Sequence, residues 1–555
     1  MNWFITPPPL VISEETTRII GPLTGDGYID FLKALEDRFF PPELAADDNG
    51  YRDFVRLFGD VAKWKEEDRE FYRLQLYERL GLDPDVPQTL VLPDSPLKIV
   101  EDRPWTVEKY PALAGWVNEV DVPLDAIAEL LRKPVFFPPY LASPGEAKSR
   151  VPPWLMPGMI IRGNNTLQIS RSIVENFSAR AGYRIGQGDI DGAIDDKLSI
   201  LRLGRLLSRQ GFLMEWSGGA AFERTALSIP VGANPEHPLT ERQICRILAG
   251  LDALPPRLPF TETVEWQRYV LLSCIQVFMV GDTRELLPNE QRPKVMEISG
   301  GTPGLDGLSS LFLRAFNWNT VFRRVNEAFD AILEPPPRTK LASLMNEIAV
   351  PDGTWKQVPL LLYYFSVPGG KDTLAANSLI DTFVNATVNA EGRVQKTECL
   401  ENMQRLVLAI LLYQMEHRKM PDENWATQIE KYLGENPEQY FSCPLNPSAK
   451  GETVYAMVQY GNITDDTTGD TAAGSLGAIL LIELPKAVPL DKAVISVDKV
   501  LEEFRQRKRL DGDSHDAGMN VALRNGAVRF LSPDTEEAEL LRMLGQEGKA
   551  KTADN

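Results

Sequence analysis

The chain has 555 residues, 43% of them apolar, and carries 59 basic against 78 acidic side chains for a formal net charge of -19. That apolar share excludes a disordered polypeptide, and the length exceeds one ordinary core, so two to four domains are expected. A surface this acidic repels phosphate backbones and anionic lipid at long range, which argues against nucleic acid as a partner.

No apolar run reaches the roughly 18 residues that a membrane-spanning helix needs. Residues 269–280 come nearest, and Gln276 interrupts them, which suits a buried helix. Met1 to Thr6 leads straight into Pro7, Pro8 and Pro9 without the charged start and apolar centre of a signal peptide. The opening reads either as the stub of a missing N-terminal anchor or leader, or as the proline-rich start of a cytoplasmic protein.

Residues 1–150 form a helical, proline-rich N-terminal region. Helices are predicted over 27–39 and 49–80, the second carrying Phe54, Leu57, Phe58, Val61 and Trp64 at three- and four-residue spacing. Pro104, Pro111 and the Phe136-Phe137-Pro138-Pro139-Tyr140 run predict extended segments pinned onto that body. Trp105, Trp116 and Tyr140 are candidate binding residues for a ligand groove, against the commoner reading of large aromatics as core anchors.

Residues 151–345 are predicted as an α-helical body, with helices over 166–185, 190–208 and 212–228. Asp189 is placed to cap the second of these, and Gly192, Ala193 and Gly204 allow close helix contacts. The segment 186–207 resembles one tetratricopeptide-type helix pair, with no second copy to make an array. Thr240 and Gln243 have the spacing of a capping box, and helices over 260–280 and 308–333 follow before Pro335, Pro336 and Pro337 close the region.

Residues 346–392 are read as a linker and the start of a long helix over 372–418, with a weak point at Gly392. Beyond Pro421 short apolar runs alternate with Gly, Asn, Asp and Pro clusters, the texture of strands. Val521, Leu523, Val528 and Phe530 flank Asn525-Gly526, which predicts a hairpin closed by a two-residue turn. The fold class expected is α+β and multidomain: a mainly helical body, then a long helix with a small antiparallel sheet over 393–545, and a disordered tail over 546–555.

Four elements of this C-terminal part occur in a telling order. Cys399, Asn402, Gln404, Ala409, Tyr413, His417 and Pro421 lie along the helix; Phe441, Cys443 and Pro447 form a short Phe-x-Cys-Pro element; residues 474–483 form a strand ending in Glu483; and His515, Gly518, Asn520, Val521, Gly526, Val528 and Phe530 close the set. Together they resemble the globular part of type II secretion pseudopilins and the related prepilin-like family of unknown function. Ala517 stands where that pattern has a glycine, and Asn525 where it has a turn aspartate. A polar helix over 372–396 replaces the apolar half-helix of a pilin, so assembly into a filament core is not expected. The resemblance implies a cell-envelope location, periplasm-like or extracytoplasmic, with a cytoplasmic location as the alternative.

Candidate chemistry is sparse. Four cysteines occur, with no CxxC pair and three histidines in the whole chain, so a structural zinc cluster is not expected. Cys245 and Cys274 read as core residues, whereas Cys399 and Cys443 share one unit and could form a disulfide in an oxidising compartment. Two oxygen-rich loops, one with Asp465, Asp466 and Asp470 and the other with Asp511, Asp513 and Asp516, could hold calcium, although neither completes an EF-hand. His515 is read as fixing the loop before the hairpin. Arg505, Arg507, Lys508 and Arg509 read as a solvated helix face.

No Gly-x-Ser-x-Gly elbow or phosphate-binding loop occurs, Ser496 and Lys499 lack companion motifs, and no catalytic residue is assigned. Apart from calcium no cofactor is expected. The expected function is a non-enzymatic envelope structural or protein-binding protein, engaging a protein partner or itself. The alternatives are an envelope hydrolase acting on glycan or peptide through acids in an aromatic-lined groove, and a helical scaffold subunit of a homo-oligomer.

Overall fold

A computed structural model describes residues 8–25, 27–39, 47–60, 66–96, 100, 104–139, 141, 157–280, 316–334, 340–341, 343, 370–445, 447–459, 478–509, 518–532 and 534–544. Among these lie fourteen α-helices and, near the C-terminus, five strands in one sheet, an α+β arrangement. In chain order the helices of the body are α1 (Phe31–Phe39), α2 (Gly50–Phe58), α3 (Glu66–Arg79), α4 (Ala114–Leu130), α5 (Pro157–Gly186), α6 (Ile190–Ser208), α7 (Leu213–Leu227), α8 (Glu241–Asp252), α9 (Phe260–Val280) and α10 (Trp318–Leu333). None of the described helices is long and apolar enough to cross a membrane.

Capping residues set several boundaries as expected. The Asp189 carboxylate accepts from the Gly192 amide at 3.0 Å to start α6, and Thr240 and Gln243 form a reciprocal capping box on α8. The single helix expected over 49–80 is instead two. Asn49 caps α2, and Gly59 ends it with φ 73° and an amide bond to the Val55 carbonyl, a C-terminal stop that the apolar spacing conceals. Helices α6 and α7 cross at Gly204 and Gly219. A Cβ on Gly219 would lie 2.3 Å from the Gly204 carbonyl oxygen, so the backbones touch where side chains would hold them apart.

The long helix α11 (Gly370–His417) runs unbroken through Gly392 for 48 residues. Successive turns enter different apolar clusters. Ala376, Ile380 and Val384 pack with α9 and α10, Ala390 and Val394 meet Trp216 and Ala220 of α7, and Cys399 to Tyr413 join the largest core. That core also takes in α2 to α8 and one face of the sheet, so the boundary expected near residue 393 is bridged by shared apolar packing.

After the short α12 (Trp425–Ile429) come β1 (Glu452–Gln459), β2 (Ile479–Pro489), β3 (Val494–Ser496), α13 (Val497–Arg509), β4 (Met519–Leu523), β5 (Val528–Leu531) and α14 (Glu537–Met543). The sheet order is β3-β1-β2-β4-β5, with β3 parallel to β1 and the other pairs antiparallel. The sheet is therefore mixed, not antiparallel as expected. A short turn at Leu490–Lys492 carries the chain from the end of β2 around the start of β1, so β3 lands on the far edge pointing the same way as β1.

Strand β4 is buried on both faces. Ala522 joins Tyr455, Met457, Leu481 and Val528 on the side of α11, while Val521 and Leu523 face Val500, Phe504 and Leu540 of α13 and α14. The hairpin also differs from expectation. The Gly526 amide bonds the Leu523 carbonyl at 3.0 Å, and the Leu523 amide bonds the Ala527 carbonyl at 2.8 Å. The loop is thus three residues long, with Gly526 at φ 77° supplying the left-handed position while Asn525 stays at negative φ. Phe530, read as an inward residue of the alternation, is 42% exposed at the sheet edge.

Candidate functional site

Trp105 and Trp116 come together, their ring centroids 6.1 Å apart, in a cluster with Tyr110 and Tyr183. Trp105 is 1% exposed and donates to the Ala179 carbonyl at 2.8 Å, and Trp116 donates to Asn176 Oδ1 at 3.1 Å. Buried and hydrogen-bonded in this way, Trp105 anchors α5 and is not available to rim a groove. Tyr140 lies outside the described residues.

A crevice of about 350 Å³ opens next to this cluster, where α4 meets the end of α5. Val117, Val120 and Tyr183 give it an apolar wall, and Asp121, Arg180, Arg184 and Asp189 give it charge. Arg180, almost wholly buried, holds Asp196 at 2.6 Å and Asp125 at 2.8 Å, and contacts Asp121 at 3.2 Å. Arg184 reaches Asp196 at 3.1 Å from the next turn. Burial pushes the Asp196 carboxyl up to about 6 even though both guanidiniums pull it down.

The geometry decides what the crevice can do. Its two guanidiniums are bonded to carboxylates, so they are not free to seize an anion. Asp121 and Asp125 bond the buried Arg180, yet their side chains are 59% and 63% exposed and stay open to solvent. The mouth therefore suits a cationic or hydrogen-bond-donating group laid against Tyr183. Apart from Asp189, read as a helix cap, none of these residues was singled out in the sequence. The available signal was the i,i+4 spacing of Asp121 with Asp125 and of Arg180 with Arg184, which places each pair on one helix face.

A second ionic cluster fastens the body to the long helix. Glu223 on α7 pairs with Arg205 of α6 at 2.7 Å and with Arg257 at 2.5 Å, and Arg257 reaches Glu401 of α11 at 3.0 Å. Arg205 and Arg405 also bond Glu401, and Arg405 continues to Asp252 at 2.5 Å. Burial acts to raise the Glu401 carboxyl, but Arg205, Arg257 and Arg405 together hold it below the usual glutamate range. These groups are consumed by one another, as in a structural clamp.

Of the C-terminal residues, Cys399 on α11 and Cys443 ahead of β1 form a disulfide with Cα atoms 5.0 Å apart. Asn520 donates to the Glu483 carboxylate at 2.5 Å, and the Asn525 side chain accepts from the Ala527 amide at 3.0 Å inside the hairpin loop. Gly518 enters β4 behind the Phe530 ring, and Gly526 forms the hairpin bulge. Arg507 departs from its reading as a solvated residue. Its side chain is 12% exposed and donates to the carbonyls of Gly518 and Glu483, both at 2.9 Å. His515 and the six calcium candidates, Asp465, Asp466, Asp470, Asp511, Asp513 and Asp516, lie outside the described residues.

No protein-family model, curated protein or solved structure matches the chain.

Proposed function

We propose that the chain is a non-enzymatic protein of the cell envelope, with a pseudopilin-like C-terminal unit carried on a helical body that binds a protein partner. One observation carries this reading. Helix α11 is a single rod whose N-terminal half is buried against α7, α9 and α10, while its C-terminal half carries the disulfide-strapped sheet. A continuous helix cored at both ends couples the two parts rigidly, as a display or docking scaffold requires. Two of the perturbed carboxyls among the described residues, Asp196 and Glu401, are tied to arginines, which leaves them poorly placed to move protons. The acidic crevice beside Tyr183 is a suitable seat for a basic side chain of the partner.

The test uses the full chain. Protein taken from cells with its thiols alkylated at lysis should carry the Cys399–Cys443 bridge and fractionate with the envelope. A photo-crosslinker at Val117 should capture a discrete partner that Asp121→Lys abolishes. A fully reduced chain in the cytosolic fraction would end the envelope assignment.

A hydrolase acting on glycan or peptide is the second reading, favoured by the carboxylates clustered beside an aromatic wall. It requires cleavage of cell-wall glycan or envelope peptide that Asp125→Asn removes, whereas a binding protein cleaves neither. Mass measurement in solution separates both from a homo-oligomeric scaffold.

A further inference from the structure

The sheet face turned toward α11 carries a polar row where apolar residues would be expected. Tyr455 of β1 pairs with Glu483 of β2, Asn520 of β4 donates to Glu483, and Asn520 pairs in turn with Phe530 of β5. Across from this row stand Cys399, whose carbonyl accepts from the Tyr455 hydroxyl at 3.3 Å, and Lys396, whose ammonium lies 5.7 Å from the centre of the Phe530 ring. The Glu483 carboxylate and the sulfurs of Cys399 and Cys443 all lie within 4.8 Å of one another. A disulfide has no proton to offer a carboxylate, so the bridge does not explain why an acid sits beside it. Glu483 is half-buried there, and taking an acid out of water costs the fold.

The geometry points to a second use of these residues: with the disulfide reduced, Cys399, Cys443 and Glu483 form a thiolate–carboxylate site for a zinc-like divalent cation. This site does not depend on partner binding by the crevice. A dithiol reductant breaks the S–S bond, giving up two electrons and two protons as it becomes a disulfide, and leaves two thiols. Zn²⁺ displaces both thiol protons to solvent and forms two Zn–S bonds and one Zn–O bond to Glu483, with water completing a tetrahedral shell. Two soft sulfur donors and one oxygen favour zinc over calcium or magnesium. Three anionic ligands around a dication leave one surplus negative charge, which Lys396 and Arg507 are placed to balance. Asn520 holds the carboxylate in position, as a supporting residue does for a metal ligand. Ligands 44 residues apart in one pair and separated by a strand from the third leave no compact spacing in the sequence, which is why no motif announces the site.

The experiment uses the full chain carrying Cys245→Ser, which removes a free thiol that is exposed, contrary to its expected place in the core. After anaerobic reduction and removal of the reductant, Co²⁺ should bind one per chain with thiolate-to-cobalt charge-transfer absorption, and Zn²⁺ should displace it. Cys443→Ser should lose that absorption, and Glu483→Gln should keep it while binding Zn²⁺ at least about tenfold more weakly. If reduction loosens the fold, Zn²⁺ should restore the helical circular dichroism of the parent but not of Cys443→Ser. Absence of the charge-transfer band, equal affinity in Glu483→Gln, or failure of Zn²⁺ to restore a loosened fold would each overturn the proposal.

Discussion

The side-chain amide of Gln404, in the C-terminal half of the long helix, donates to the carbonyl of Gly526 at the hairpin tip at 2.8 Å, across 122 residues of sequence. Gln404 is 1% exposed, so this carbonyl has little access to water. The Asn525 carbonyl beside it accepts from the Gly232 amide of the body at 3.1 Å. The hairpin tip is therefore held by the long helix on one side and by the loop after α7 on the other. Replacing Gln404 by Leu removes the donor and leaves a buried acceptor unpaired, at a cost of about 1–3 kcal/mol. Urea denaturation of the two proteins should show a lower midpoint with an unchanged slope.

Gly526 sits at φ 77°, and a Cβ there would meet Leu239 and Leu408 at an ordinary van der Waals distance of 3.7 Å. The restraint at this position is conformational and not steric crowding. Gly526→Ala should cost about 1–2 kcal/mol. Gly526→Asn should cost less, because asparagine tolerates the left-handed region better. Equal losses for the two variants would show that something other than backbone conformation is at work.

Glu223 is completely buried between Arg205 and Arg257. Removing its charge takes one carboxylate from Arg205 and Arg257, which keep Glu401 as a partner, so Glu223→Gln should destabilise by less than the roughly 3–5 kcal/mol of a fully broken buried pair, while Glu223→Leu combined with Arg257→Met should cost less than the sum of the single changes. The same cluster sets a response to acid. Glu401 is held below its ordinary value, so the folded state binds its proton later than the unfolded chain does. Its contribution is present above the ordinary glutamate value of 4.5 and is lost as pH falls through the lower folded value. Glu401→Gln should flatten the acid limb of the stability profile.

Lys197 is fully buried on α6, with the carbonyls of Leu227 and Ile229 at 3.3 and 3.4 Å as its hydrogen-bond acceptors. Burial pushes its ammonium down to about 7 from 10.5. The unfolded chain therefore holds this proton across a pH range in which the folded protein has released it. The penalty is full below about 7 and fades as pH rises toward 10.5, so this group makes the fold more stable with rising pH over that window. Lys197→Met should be more stable than the parent at neutral pH by a few kcal/mol, on the order expected for a shift of this size less the two lost hydrogen bonds. The gap should narrow between neutral pH and pH 10, measured by denaturation at each pH. A constant gap would mean that the lysine does not change charge on folding.

Local chemistry made much of the architecture legible. The caps at Asp189 and Thr240 act within four residues, and the helix ends at Ser208 and Val280 lie close to where apolar periodicity placed them. The long helix and the existence of a hairpin at Asn525-Gly526 follow from the same short-range rules. The break at Gly59, the three-residue hairpin loop and the parallel β3 were not legible, because each depends on what another segment does. Gly59 is set against the side chain of Gln88, and β3 lies beside β1 only because the turn at Leu490–Lys492 carries the chain across from the end of β2. The candidate site was hidden for the same reason. Trp105 and Trp116 announced themselves by size, yet burial turned Trp105 into an anchor, while the charged crevice comes from α4, α5 and α6 meeting in space.

By itself the sequence determined which segments coil, where most of them stop, and that the C-terminal third would pair one long helix with a small sheet. Those outcomes follow from side-chain period, capping groups and turn residues within a few positions of one another. Tertiary structure alone decided that Arg180 grips three aspartates, that Gln404 reaches Gly526, and that Cys399, Cys443 and Glu483 meet. Burial and charge pairing are properties of distance through space, and chain separation carries no record of them.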